Sequence, residues 1–149
     1  MSNFVYTNAK RAILAGEIDF DTDDLRVLAV MSNTTADTEK DKTTLSGFTT
    51  LDEMDGSGYA RQALTGGAVA ADDANDRGEF TADDVVFANV SAGTRLVAGF
   101  VFYKHVSNDT DSIPVFWVDT IVGLTLPLTP NGGNIRLAAN AEGLLQAGS

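Results

Sequence analysis

Short apolar runs separated by polar clusters dominate the hydrophobic pattern. Residues 25–31 read Leu-Arg-Val-Leu-Ala-Val-Met, and further runs occupy 85–88, 96–103 and 113–118. Each is rich in Val or Phe and bounded by Asp, Asn, Gly, Ser or Thr, which predicts strands. In 96–103 both alternating sets are apolar, Leu96, Ala98, Phe100 and Phe102 against Val97, Val101 and Tyr103. A strand of that kind is covered on both faces and belongs at the centre of its sheet. The cluster 107–112 (Ser-Asn-Asp-Thr-Asp-Ser) joins it to the next run as an antiparallel hairpin, with Pro114 at the strand's start or on an unpaired side. Asn131-Gly132 suits a tight reversal before a last strand around 134–139. A candidate strand, 59–64, lies between Gly56-Ser57-Gly58 and Gly66-Gly67.

One segment reads as helix. Residues 8–15 lack Gly and Pro, start at Asn8 as a candidate N-cap and run into Gly16, the residue expected just past a helix end. With turn signals recurring roughly every ten residues, the expected fold is all-β, an antiparallel β-sandwich, jelly-roll-like or Ig-like, with one short N-terminal helix. We divide the chain into an arm and helix (1–16) and a single sandwich domain (17–149). Residues 32–44 hold one apolar residue, Ala36, and are expected to be a solvated loop that adds nothing to the core.

Composition narrows the chemistry. At 149 residues the chain is long enough to bury a core without staples. A net charge of -11 repels phosphate backbones and anionic lipid headgroups, so neither nucleic acid nor membrane is an expected partner. The absence of Cys removes disulfides, thiolate nucleophiles and Cys-ligated metals, and the single His105 excludes a His-rich cage. The longest apolar stretch is far short of the roughly 20 residues that span a bilayer, and Met-Ser-Asn-Phe begins no signal pattern, so a cytoplasmic protein is expected.

Individual motifs mostly fail on inspection. Asp19, Asp21 and Asp23 match the first ligand positions of a calcium loop, but Asp24 replaces the required Gly and Val30 the bidentate Glu. In 73–84, Gly78 and Asp84 fit, but Arg77 puts a cation at a ligand position. Gly56-x-Gly58 lacks the third Gly of a dinucleotide loop, and Ser57 is outside a nucleophile elbow. Three Asn-x-Ser/Thr triplets carry no weight without a secretory signal. His105 reads as a rim imidazole. No catalytic residue, metal ligand or cofactor is expected.

Aromatic placement is more informative. Phe100, Phe102, Phe116 and Trp117 lie in the two strongest strands and read as core. Phe4 and Tyr6 precede the helix in a segment that must dock onto the domain or onto a neighbour. Lys10 and Arg11 give residues 1–16 a local positive charge on an acidic protein. Phe4, Tyr6, Lys10 and Arg11 are therefore the candidate partner-binding residues.

Several stretches in fixed order carry a resemblance: Gly16-Glu-Ile-Asp-Phe-Asp-Thr-Asp-Asp-Leu-Arg-Val-Leu-Ala-Val30, Gly56-Ser-Gly-Tyr-Ala-Arg-Gln-Ala-Leu-Thr-Gly66, Asn75-Asp-Arg-Gly-Glu-Phe-Thr-Ala-Asp-Asp-Val-Val-Phe87, Phe102-Tyr-Lys-His105 and Thr129-Pro-Asn-Gly-Gly133. In these the chain resembles a family of small bacteriophage and prophage virion proteins. The resemblance implies a capsid decoration (cement) protein on the outer capsid surface of the virion, assembled in the bacterial host cytoplasm. It implies the major capsid protein and the chain itself, as a homotrimer, for partners. A tail, baseplate or host-adhesion component binding a surface glycan through loops such as 107–112 is the alternative. A carboxylate-based glycosidase is a third possibility.

Overall fold

The structure is a computed structural model that describes residues 3–138 and 145–148. Among the described residues, ten strands and one short α-helix follow in the order β1 (Phe4–Val5), α1 (Thr7–Leu14), β2 (Leu25–Met31), β3 (Gln62–Ala63), β4 (Ala68–Asp72), β5 (Arg77–Thr81), β6 (Val85–Phe87), β7 (Val97–Lys104), β8 (Ile113–Val118), β9 (Ile135–Leu137) and β10 (Leu145–Gly148). All pairings are antiparallel, in a five-stranded sheet β1-β8-β7-β2-β3, a three-stranded sheet β10-β5-β4 and the pair β6-β9. The fold is thus all-β and sandwich-like, with one short helix.

The doubly apolar run becomes β7 and is the middle strand of the large sheet. It pairs with β8 as the hairpin around residues 107–112, whose polar side chains close the turn: Asp111 accepts from the Ser107 and Asn108 N–H groups. A register shift between Phe102 and Tyr103 falls opposite Pro114, where a strand without an N–H leaves the ladder irregular. Gly99 lets Trp117 lie flat on β7, since a Cβ there would sit 2.4 Å from the indole ring. Phe102 and Phe116 stack at 4.4 Å, and Phe87 stacks on Phe100 at 5.8 Å, which lays β6 over the sheet. These rings form one continuous core with Val27, Leu28, Val30, Val101, Ile135 and Leu137.

Several local expectations are corrected. The helix begins one residue early, and its N-cap is Tyr6, without a side-chain cap, instead of Asn8. Tyr6 takes that place because its ring is buried, while Asn8 faces Arg11 and accepts its Nε–H. Residues 32–44 are not a solvated bystander. Ala36 is fully buried, its carbonyl accepts the Tyr6 hydroxyl at 2.8 Å, and Thr7 N–H donates to the Lys40 carbonyl. Hydrogen bonding, which apolar counting does not register, builds this loop: the Glu39 carboxylate accepts from the Thr35 and Thr49 hydroxyls and the Thr49 N–H. Of the candidate strand 59–64 only Gln62–Ala63 pairs, as β3. The strand expected at 134–139 is β9, with residue 139 outside the described residues.

Candidate functional site

Four N-terminal residues were the sequence's candidates, and the structure separates them. Tyr6 is fully buried, in contact with Phe4 and Phe48, and burial pushes its hydroxyl pKa far up. It is therefore a core residue rather than an anchor held out to a partner. Phe4 is half-buried, paired with Trp117 across the β1–β8 ladder and covered by the Lys40 ammonium at 4.5 Å. Residues 1–16, set apart as an arm, are in their described part joined to the large sheet, with β1 as its edge strand. Arg11 forms a bidentate pair with Glu17 at 2.6 and 2.9 Å, so its charge is locally neutralised. Lys10 is exposed and has no ion-pair partner among the described residues.

That lysine borders the feature the sequence reading missed. An apolar groove of about 450 Å³ runs between α1 and the face of the three-stranded sheet. Ile13 and Leu14 of α1 with Val5 of β1 form one wall; Phe20, Val69, Phe80 and Leu145 form the other. The sheet side is a small hydrophobic cluster of its own, Leu25, Phe80 and Ala82, with Phe20 and Phe80 rings 4.9 Å apart. Leu14 is 90% exposed and Val69 52%, so the groove opens onto an apolar rim. The sequence signal for it was the pair Ile13-Leu14, two adjacent large apolar residues at the end of a short helix that cannot both face the side burying Ala9 and Ala12.

The other motifs have structural partners. Each of the six arginines is ion-paired to a carboxylate, among them Arg95 with Asp52 and Arg136 with Asp84. The most developed pair is Arg61, clamped between Glu53 and Asp109 with both carboxylates bidentate and the Tyr103 hydroxyl behind. These partners hold the Asp109 carboxyl below the usual range and the guanidinium charged. Tyr59 donates to Glu53 from the same cluster, fixing 53–61 to the end of β7. The acidic turn 19–24 is used internally: Asp19 and Asp23 accept from turn N–H groups, Asp21 from the Val69 N–H, and Asp24 pairs with Arg26. Among the described residues no cluster of His, Asp and Glu is arranged to hold a metal ion.

Gly56 and Gly58 serve close packing, since a Cβ at either would lie within 2.2 Å of a carbonyl oxygen of Ser91 or Asn89. Half-buried His105 donates its N–H to the Asp24 carbonyl. The Asp119 carboxylate is buried and accepts from the Trp117 indole at 2.9 Å. The strongly exposed large apolar side chains among the described residues are all Leu or Val. No helix among them is long and apolar enough to cross a membrane.

Comparisons with protein-family models, with curated proteins and with solved structures yield no match.

Proposed function

We propose that the protein is a bacteriophage virion structural protein, a capsid decoration (cement) protein that binds the outer shell as a symmetric oligomer and stabilises it. The observation that carries the reading is the open apolar groove beside α1 on an otherwise acidic molecule with a net charge of -11. A cement protein must stay soluble until it meets the shell and then attach through weak contacts repeated by symmetry. Like-charge repulsion keeps free copies apart, and an apolar surface of limited size supplies the contact. A strongly acidic body also suits the outside of a shell filled with nucleic acid better than its lining. The partners on this reading are the major capsid protein and sister copies of the chain in a homotrimer.

The test is co-sedimentation of the purified chain with empty shells, followed by a density map of the decorated particle. Saturable binding in multiples of three on the outer surface is expected, together with a raised thermal transition of the shell. Failure to bind shells, with retention on an immobilised host glycan, would replace this reading by the adhesion alternative.

A further inference from the structure

The groove is chemically more specific than an apolar patch: of the two charged residues on its lining, Glu79 is already paired with Arg77, which leaves the positive charge of Lys10 unspent. All six arginines are ion-paired, Lys42 and Lys104 lie beside carboxylates and Lys40 sits over the Phe4 ring, whereas Lys10 lines the groove without an ion-pair partner among the described residues. On a protein with twice as many acids as bases, a lysine left over beside Phe80, Val69 and Leu14 is the complement of an apolar group that carries a negative charge.

Size then limits the occupant. A hollow of about 450 Å³ takes a few side chains, whereas a second folded copy needs roughly 800 Å² of matching surface on each partner. A second copy would also carry the same net charge of -11 and be repelled as a whole. The walls are a helix on one side and strands on the other, the setting in which a short segment lays alternate side chains into a groove.

We infer that the groove between α1 and the three-stranded sheet receives a short apolar peptide segment bearing one carboxylate, which pairs with Lys10. The inference rests on the shell-binding reading only for the owner of that segment, a shell subunit. The fit of peptide to groove stands on the geometry alone.

The test uses the full chain, isotopically labelled, and capped hexapeptides of Leu and Val around one central Asp, Asn or Lys. Amide shifts at Leu14, Val69 and Glu79 should move on titration, with the Asp peptide binding about fivefold tighter than the Asn peptide, the effect of one rim ion pair. The Lys peptide should be weakest. In Lys10→Gln, a substitution at an exposed helix position, the Asp and Asn peptides should bind alike. Equal binding of all three peptides to the native chain, or shifts centred elsewhere, overturns the inference. Groove shifts that change on dilution of the protein alone also overturn it and assign the groove to a second copy. Shells that bind the native chain and Lys10→Gln equally refute the groove contact and leave shell attachment standing. Shells that bind neither refute the functional reading, and the peptide titration still decides the groove.

Discussion

The large sheet and the small sheet are built from the same kind of antiparallel ladder but bury very different amounts of side chain. In β7 six of eight residues are buried, and in β2 six of seven. In β4 none is buried and in β5 only Phe80. The difference is one of side-chain size as much as position. Val, Leu, Phe and Trp fill both faces of the large sheet, whereas β4 reads Ala-Val-Ala-Ala-Asp and has little to bury. A ladder with few apolar contacts opens at lower free energy than one inside a continuous core. Binding surfaces are drawn from that weaker end, and the groove lies on the small sheet's side of the molecule.

Truncation should expose the contrast most sharply. Trp117→Ala removes the largest fully buried side chain, and the space over Gly99 cannot close, so a loss of about 3–5 kcal/mol is expected from the shift in urea midpoint. Phe80→Ala should cost about 1–3 kcal/mol, because its cluster borders an open groove that relaxes into the space left. Equal losses at the two sites would erase the distinction between the sheets. Hydrogen exchange sharpens it: β7 amides should exchange only by global unfolding and β4 amides through local opening.

The same contrast explains what was legible in the sequence. Strands β2, β7 and β8 are largely apolar runs rich in Val together with Leu, Phe or Trp, so their existence, the hairpin and the central place of β7 follow from apolar patterning. The β4–β5 hairpin carries no such pattern. Its turn at 73–76 reads as an acidic loop, and its register, Val69 opposite Phe80, is fixed by the ladder. Loop 32–44 is opaque for a related reason, since its order comes from threonine hydroxyls around one carboxylate. At the candidate site, the basic charge of Lys10 was visible. Its isolation was not, because that depends on Glu17 reaching back to Arg11 and on the small sheet standing opposite α1.

Polar clusters at the sheet ends should give intermediate effects. Arg61→Met leaves Glu53 and Asp109 facing each other without a cation, and since both are partly exposed a loss of about 1–2 kcal/mol is expected. A loss below about 0.3 kcal/mol would mean that solvent supports both carboxylates as well as Arg61 does.

Acid should act on the loops before the sheets. Hydrogen bonds from the Thr35 hydroxyl, then the Thr49 hydroxyl and N–H, lower the Glu39 pKa from 4.5 to about 2. The Ser107 hydroxyl, with backbone N–H groups of Asn108 and Ser107, lowers Asp111 to about 2. A carboxyl whose pKa is lower in the folded than in the unfolded state adds stability that is complete above its unfolded pKa and fades as pH falls toward the folded one. The advantage of the native chain over Glu39→Gln should therefore be full at pH 6, shrink below about pH 4.5 and nearly vanish at pH 2, read from urea midpoints. A pH-independent difference would show that Glu39 acts by shape instead of charge.

Val69→Ser should give the smallest change in stability and is the most direct probe of what the small sheet is for. Val69 is 52% exposed on an edge strand, and its N–H is already held by Asp21 at 3.1 Å, a bond that serine keeps. Little apolar area returns to water, so the urea midpoint should shift by less than about 0.5 kcal/mol. A residue that stabilises the free chain so little, yet keeps a branched apolar side chain at the mouth of a groove, contributes where the groove is filled. Binding of the aspartate peptide should then weaken severalfold in Val69→Ser while the fold is untouched. Unchanged binding would place the contact on the α1 wall, at Leu14 and Ile13, and leave the small sheet a passive support. A loss of stability above about 1.5 kcal/mol would instead count Val69 with the core and remove the contrast between the two sheets at its most exposed point.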